Sequence, residues 1–460
     1  MTIHPPERIA STWREAEAIV RLAVPLILTH LAHMAIMATD VIMMGRIGTE
    51  TIAAGSLARD FYWVMVAFAI GVLTGATPVM AQHLGARRFR AIRPVVRNAS
   101  WLCLPLAAVV SVLAWYASPI LIIFGQDPAI TALGESYLRV MIWGLLPSLW
   151  FVVLSEFLAA HARPRAIVVV TVHAIALNAL LDYAFMFGKL GAPELGLVGA
   201  GVASVIVNWA MFGALLWFVH ADRRLRRYRL LGYFWRLDRG VMKEVAFLGG
   251  PIAITEVGEM GLFFVTTIMM GLISTEMLAA HAVTAQCYAF VFMIPVGFAQ
   301  AAAVRVGHGA GAGSPEWSAR SGWMAVTLSG ITVLAPVVAF WFFGGELSSL
   351  ILDADDPANA HALGLAVSLL SVAAIFMLSD AVQITARGAL QGLKDTAIPM
   401  VYSVATNWGL GLPCAAAFGF WFGWSGEGIW AGLAVATTGA SVLLITRFRN
   451  RLRIFHESVR

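Results

Sequence analysis

Apolar blocks long enough to cross a bilayer alternate, from residue 18 to residue 446, with short breaks rich in Arg, Gly and Pro. A hydrocarbon core takes about 20 consecutive apolar residues of helix. The breaks divide the chain into twelve such blocks, at 18–43, 58–82, 95–119, 131–155, 164–188, 195–220, 242–270, 277–303, 319–344, 360–385, 396–420 and 427–446. This pattern predicts an all-α polytopic membrane protein of twelve transmembrane helices, with almost nothing left for a soluble domain.

Laid on itself, the chain repeats. An offset of 226 pairs Pro25 with Pro251, Thr29 with Thr255, Gly45 with Gly271, Glu50 with Glu276, Gly71 with Gly297 and Gly85 with Gly311. An offset of 231 pairs Arg163 with Lys394, Ile167 with Ile398, Phe187-Gly188 with Phe418-Gly419 and Gly201 with Gly432. Prolines and glycines in register over two segments point to a duplication. Each copy holds an even number of spans, so both run the same way through the membrane. Such parallel repeats bind substrate between halves that rock against one another. The predicted organisation is a tail at 1–17, an N-lobe at 18–220, a basic linker at 221–241, a C-lobe at 242–446 and a basic tail at 447–460.

Composition agrees: 60% of residues are hydrophobic, 12% charged, and the mean hydropathy is +0.80. Soluble proteins carry about a quarter charged residues. The net charge of +5 matters less than its placement. All but four of the 31 Lys and Arg lie in every second connection or in the tails. The four, Arg46, Arg59, Arg139 and Lys189, share the other side with Asp127, Glu194, Asp353, Asp355, Asp356 and Glu427. Positive residues gather on the cytoplasmic side, which predicts both termini in the cytoplasm. The basic run DRRLRRYRLLGYFWRLDR joins two membrane halves. It reads as a linker lying on anionic headgroups, with membrane lipid as its partner, and not as a nucleic-acid patch. Cys103, Cys287 and Cys414 are isolated, with neither metal spacing nor a disulfide framework. No small-residue cleavage site follows the first apolar block, which is expected to be retained.

Acids inside apolar helices are costly and mark cavities and ion paths. Asp40 lies in the outer part of the first span, downstream of Pro25. Proline frees a backbone carbonyl and permits a kink, so Pro25 and its repeat partner Pro251 are candidate hinges. Asn178 and Asp182 share one helical face at i and i+4, with Ser204 a weaker addition. Glu256 and Glu259 stand at i and i+3, with Phe263 further along that face. Two carboxylates so close in a low dielectric do not easily both ionise, and no Lys or Arg occurs between Lys243 and Arg305. Asp380 shares a face with Gln383 and Arg387, although seven residues place about 10 Å of helix between Asp380 and Arg387. The plainer alternatives are an interfacial Asp40, an interfacial Asp182 near Lys189, and an Asp380–Arg387 bridge. Trp63, Phe263, Phe264, Tyr288, Phe292 and Gln383 are candidate walls of a substrate cavity, since aromatic faces attract lipophilic cations; lipid-facing packing is the plainer reading of any one aromatic. His30 stands where the second copy has Glu256.

The stretches TDVIMMGRIGTETIAAGSLA, TPVMAQHLGARR, LDYAFMFGKLGAPELGLVGAGVAS, ITEVGEMGLFF, AAHAVTAQ and SDAVQITARGALQGLKDTAIPM resemble the multidrug and toxic compound extrusion (MATE) transporters, above all their NorM-type bacterial branch. The likeness runs from about Pro25 to Gly432. It implies two six-helix lobes around a V-shaped cavity in the bacterial inner (plasma) membrane, and export of lipophilic organic cations driven by entry of Na⁺ or H⁺. It assigns Asp40 to the family's helix-1 aspartate, and Asn178 with Asp182 to an N-lobe pair whose protonation is proposed there to bend helix 1. Glu256 matches the helix-7 acid and Asp380 the C-lobe aspartate, which makes these two candidate Na⁺ ligands; Glu259 has no counterpart. Carboxylate and amide oxygens suit Na⁺, and clustered carboxylates suit protons. One departure is Ala160-His161, where the second half keeps Gln391-Gly392.

The chain is expected to need no cofactor, to bind small cationic molecules and no nucleic acid, and to act as a monomer. A lipid-linked oligosaccharide flippase of related architecture would line its cavity with cations for a pyrophosphate, whereas the intramembrane charges here are acids. No HExxH or GxSxG motif supports a membrane-embedded enzyme.

Overall fold

The computed structural model describes residues 12–230, 232, 234–352 and 359–459. Arg8, Asp353, Asp355 and Asp356 of the charge pattern lie outside them, as do residues 1–11 of the N-terminal tail and Arg460. The helices are α1 (Thr12–Ile47), α2 (Thr49–Thr74), α3 (Ala76–Gly85), α4 (Ile92–Trp115), α5 (Ala117–Ile123), α6 (Pro128–Ala160), α7 (Arg165–Met186), α8 (Leu197–Ala221), α9 (Arg239–Ile273), α10 (Thr275–Gly311), α11 (Pro315–Phe342), α12 (Gly344–Ser349), α13 (Ala360–Gly392), α14 (Ala397–Val404), α15 (Leu412–Ala416) and α16 (Ser425–Val459).

In hydrocarbon every backbone polar group must be satisfied within the protein, which leaves helices or a closed barrel. Apolar runs of about 20 residues take the helical solution, and no strand occurs among the described residues. Among the described residues, eleven helical segments are long and apolar enough to cross a membrane, α2 and α3 together forming one. The remaining predicted span, the eleventh at 396–420, is helical but interrupted: α14 and α15 alternate with π-helical Ala405–Gly411 and Ala417–Trp421. Asn407, Gly409 and Gly411 fall in the first widened stretch, with Pro413 just after it. Such π-bulges recur at functional positions.

Local chemistry fixes several starts. Asp127 accepts hydrogen bonds from the N–H groups of Ala129 and Ile130 at 2.7 and 3.2 Å, with Pro128 at the first turn of α6. Ser274 caps α10 by accepting from Met277 N at 3.0 Å. Asp222, just past α8, accepts from the N–H groups of Arg224 and Leu225 and pairs with Arg163. Burial works against its charge, yet those donors hold its carboxyl below the usual carboxylate range.

The chain divides into two compact units. In the first half α6 is central, packed by α2, α4 and α8, with α7 against α8. In the second, α13 takes that place, packed by α10, α11 and α16, with α15 against α16. The two neighbour sets correspond under the internal repeat. The unit boundaries, however, fall inside helices. One unit holds residues 12–27 and 254–459 and the other holds 28–253, so α1 and α9 each change unit two residues past Pro25 and Pro251. The linker at 221–241 belongs wholly to the second of these units.

Small residues permit this exchange. Within the unit 28–253, a Cβ on Gly249 of α9 would stand 1.9 Å from the Val72 carbonyl oxygen, and one on Gly71 would stand 2.5 Å from Ala253 Cα. Within the other unit, Gly297, the repeat partner of Gly71, lies against α1, where a Cβ would meet Ile27 Cγ1 at 2.4 Å. Backbone carbonyls cannot step aside as side-chain tips can. Gly249→Ala is therefore expected to cost about 1–3 kcal/mol through overpacking, and Gly297→Ala less. Size-exclusion profiles of detergent-solubilised variants measure this; equal monodisperse yields for both would refute it.

The departure at Ala160-His161 also has a packing reason. Gly392 lets α13 lie against α10, where a Cβ would stand 2.7 Å from the Ala303 carbonyl. His161 instead packs on Phe157 and on Tyr228 of the linker, with ring centroids 4.3 and 4.9 Å away.

Candidate functional site

Each unit carries its own group of intramembrane polar residues. In the unit 28–253, Asp40 on α1 faces Asn178 and Asp182 on α7, close enough for all three to interact. One helical turn puts Asn178 and Asp182 on the same face, as their spacing predicts. All three are buried: Asp40 is 6% exposed and the other two are inaccessible. Tyr62, Tyr137 and Arg59 lie within electrostatic range. Asp40 Oδ1, both Asp182 oxygens and both amide atoms of Asn178 make no hydrogen bond. Buried polar atoms without partners are costly, and two carboxylates cannot bond each other without a proton. The sequence did not mark Tyr62, Tyr137 or Arg59 for this site, because they come from other helices, α2 and α6, and no local spacing ties them to Asp40.

The second group lies within residues 254–459 and borders a cavity of about 380 Å³. Glu256 and Glu259 come from α9, Tyr288 and Phe292 from α10, Asp380 and Gln383 from α13, Asn407 from the π-helical stretch and Thr437 from α16. The three acids sit in three different environments. Asp380 is buried, and its Oδ2 accepts the Tyr288 hydroxyl at 2.6 Å. Glu259 pairs with Arg387 of α13 in a two-contact bridge, the longer contact at 3.3 Å, and accepts from Gln383 Nε2 at 3.4 Å. Glu256 is exposed to the cavity and forms no ion pair among the described residues. Gln383 Oε1 and Asn407 Oδ1 are buried acceptors without donors. The lining thus presents acceptor oxygens around an apolar and aromatic wall, with Phe263 stacked on Tyr288 at 5.3 Å and Phe376 edge-on to Tyr288.

This geometry corrects one expectation and bears on others. Glu259 does have a cation: Arg387, which lies far along the chain from α9, outside the local window in which no Lys or Arg was found. Arg387 accordingly does not bridge to Asp380. Phe264 is 68% exposed and absent from the cavity wall, because it sits one residue, and so about 100°, round the helix from Phe263. Trp63 belongs to the other unit and does not line this cavity. Phe263, Tyr288, Phe292 and Gln383 do line it. Among the described residues no three His, Cys, Asp or Glu side chains converge as a metal cage. Glu256 and Asp380 would hold Na⁺ only with amide or hydroxyl oxygens such as those of Asn407 and Thr437. Pro25 and Pro251 lie inside α1 and α9, next to the change of unit. Ser204 and His30 lie on α8 and α1, buried and half-buried.

Among the buried acids that the sequence reading did not single out, Glu156 lies deepest within an apolar run. Glu156 on α6 is 8% exposed and accepts a hydrogen bond from the Thr77 hydroxyl of α3. A single carboxylate within LWFVVLSEFLAA is the same signal that singled out Asp40.

Comparison with known proteins agrees with this architecture. The MatE family profile matches residues 25–184 and 251–417, two segments that begin at the paired prolines. The chain is 39% identical over 447 residues to the "Probable multidrug resistance protein NorM" of Mesorhizobium japonicum, covering 96% of this chain and 95% of that one. It is 38% identical over 447 residues to the protein of the same name from Brucella suis, with the same coverage. Among solved structures, the eukaryotic MATE transporter AtDTX14 superposes with a TM-score of 0.84 at 18% identity, covering 98% of this chain and 100% of that chain. A MOP superfamily transporter from Pyrococcus furiosus, whose binding pocket is described as reversed in polarity, does so at 0.84 and 18%, covering 96% and 97%. With a family match over both repeats and relatives near 40% identity along almost its whole length, the chain belongs to the MATE family, and it is a multi-pass membrane transporter and not an enzyme.

Proposed function

We propose that the protein is a multidrug efflux transporter that exports lipophilic organic cations in exchange for entering Na⁺ or H⁺. The acid-lined, aromatic-walled cavity at Glu256, Asp380, Phe263 and Tyr288 carries this reading. A lipophilic cation finds apolar and π-surface together with negative charge there. Arg387 is paired with Glu259 and lies within electrostatic range of Glu256 and Asp380, so three carboxylates outnumber this one cation at the cavity. The same balance weighs against a flippase for pyrophosphate-linked lipids, which needs cations in that place. The NorM relatives are named for multidrug resistance, which supports the substrate class. The Pyrococcus furiosus neighbour, described as having reversed pocket polarity and a different function, illustrates how much the sign of the lining matters.

Ion coupling is assigned to Asp40, Asn178 and Asp182 on one side and to Glu256, Glu259 and Asp380 on the other. Loading the first group with a proton or cation removes an unfavourable charge from α1. Pro25 lets that helix bend in response, and Pro251 does the same for α9. The arginine-rich connections support the reading that both termini lie in the cytoplasm, with the protein in a bacterial inner membrane.

Dye efflux from proteoliposomes, with an inward Na⁺ gradient or an inward H⁺ gradient imposed separately, tests the proposal. One of the two gradients is expected to drive export of a cationic dye and not of an anionic one. Failure of both gradients would remove antiport as the mechanism.

A further inference from the structure

The ion-coupling reading leaves a second cavity unused. It measures about 300 Å³ and lies within residues 28–253, enclosed by α4, α6, α8 and the linker residues Leu230 and Phe234. Its wall is apolar and aromatic, with Leu154, Trp150, Phe212 and Phe234 prominent, and Arg97 is the one charged residue in the lining. Arg97 is itself only 7% exposed.

The cavity is built, not a loose gap. Trp150 donates from Nε1 to the Ser100 carbonyl at 3.1 Å and packs against Phe212 at 5.3 Å. The linker side of the wall is fastened to α4: Trp101 Nε1 donates to the Phe234 carbonyl at 2.7 Å, and the two rings stack at 5.4 Å. Asp238 N donates to Asn98 Oδ1 at 2.9 Å. Two more guanidiniums, Arg93 and Arg236, act on Arg97 through space, as does the carboxylate of Asp238 with the opposite sign. The site therefore combines an apolar slot with a net positive head, at the arginine-rich end of the helices.

That combination repels the lipophilic cations proposed for the acid-lined cavity. It suits the opposite amphiphile, one with an apolar chain and an anionic head. Basic pockets between transmembrane helices bind anionic lipid headgroups in this manner, and the surrounding bilayer supplies such molecules at high local concentration. We propose that this cavity binds an anionic phospholipid, with an acyl chain between Trp150, Phe212 and Phe234 and the phosphate at Arg97. The bound lipid ties α4, α6 and α8 to the linker that joins the two repeats.

Native mass spectrometry of the full-length, delipidated protein tests this, with phosphatidylglycerol, chain-matched phosphatidylethanolamine and oleate as separate probes. One phosphatidylglycerol is expected to be retained about tenfold more tightly than phosphatidylethanolamine, a difference of roughly 1.4 kcal/mol. Arg97→Gln should abolish that preference. Arg224→Gln, exposed in the same basic run and outside the cavity, should keep it. Equal retention of the two phospholipids, or an equal loss in both variants, would overturn the proposal. Tighter retention of oleate than of phosphatidylglycerol would overturn it as well, by making this a fatty-acid site. If Arg97→Gln does not fold, wild-type protein labelled by phosphatidylglycerol carrying a photoreactive acyl chain decides the matter. Adducts confined to the peptides around Trp150 and Phe212 support the site, and adducts spread evenly over the lipid-facing helices refute it.

Discussion

Asp40→Asn is expected to reduce efflux of a cationic dye about tenfold or more, corresponding to at least roughly 1.4 kcal/mol, while the protein still reaches the membrane. Asn keeps the size and polarity of the side chain but can neither carry a negative charge nor exchange a proton. Asp40 lies buried against Asp182 and Asn178, in a group where five polar atoms make no hydrogen bond. Whatever entering ion satisfies them loses one of its two carboxylates in this variant. Asp182→Asn should act alike, and Asn178→Ala less severely, since it removes no charge. Efflux by Asp40→Asn at the wild-type rate, in vesicles containing equal amounts of protein, would exclude this acid from coupling.

Arg387→Gln carries the second large effect. Removing one partner of a largely buried ion pair leaves the other charge uncompensated, at a cost of about 3–5 kcal/mol. Glu259 borders the cavity and keeps some access to water, which places the expected loss near the lower end of that range. The variant should show a clearly lowered thermal unfolding midpoint in detergent. Glu259→Gln combined with Arg387→Gln should recover most of it, because the double change removes both charges together. The coupling in this double-mutant cycle is the discriminating quantity. A single variant as stable as wild type, or a double variant no better than Arg387→Gln alone, would mean that the bridge contributes little. Transport gives a second readout. With Glu259 released, the cavity gains negative charge, and efflux of monovalent cationic dyes should shift in affinity more than in maximal rate.

Much of this architecture is legible in the sequence because bilayer physics leaves few choices. Length, hydropathy and the position of arginines settle the helices, and paired prolines and glycines reveal the duplication. The i, i+4 relation of Asn178 and Asp182 needs only helical geometry, so half of one site was visible before any fold. What stayed hidden depends on contacts between distant helices. Nothing near Glu259 in the chain announces Arg387, and nothing near Asp380 announces the Tyr288 hydroxyl. The π-helical stretches of the eleventh predicted span look like ordinary apolar helix, although Asn407, Gly409, Gly411 and Pro413 crowd together there. Glu156 was open to discovery by the rule that found Asp40.

The change of unit just past Pro25 and Pro251 bears on how such a chain could arise. A half-length ancestor carrying one repeat would have had an opening helix whose first section packs in a unit built from another repeat. Its smallest complete form would be a pair of copies that traded those sections, as in a domain-swapped dimer. Joining the copies through one basic segment would convert a concentration-dependent assembly into a single molecule, and each half would then be free to acquire its own chemistry, as Asp40 and Glu256 now show.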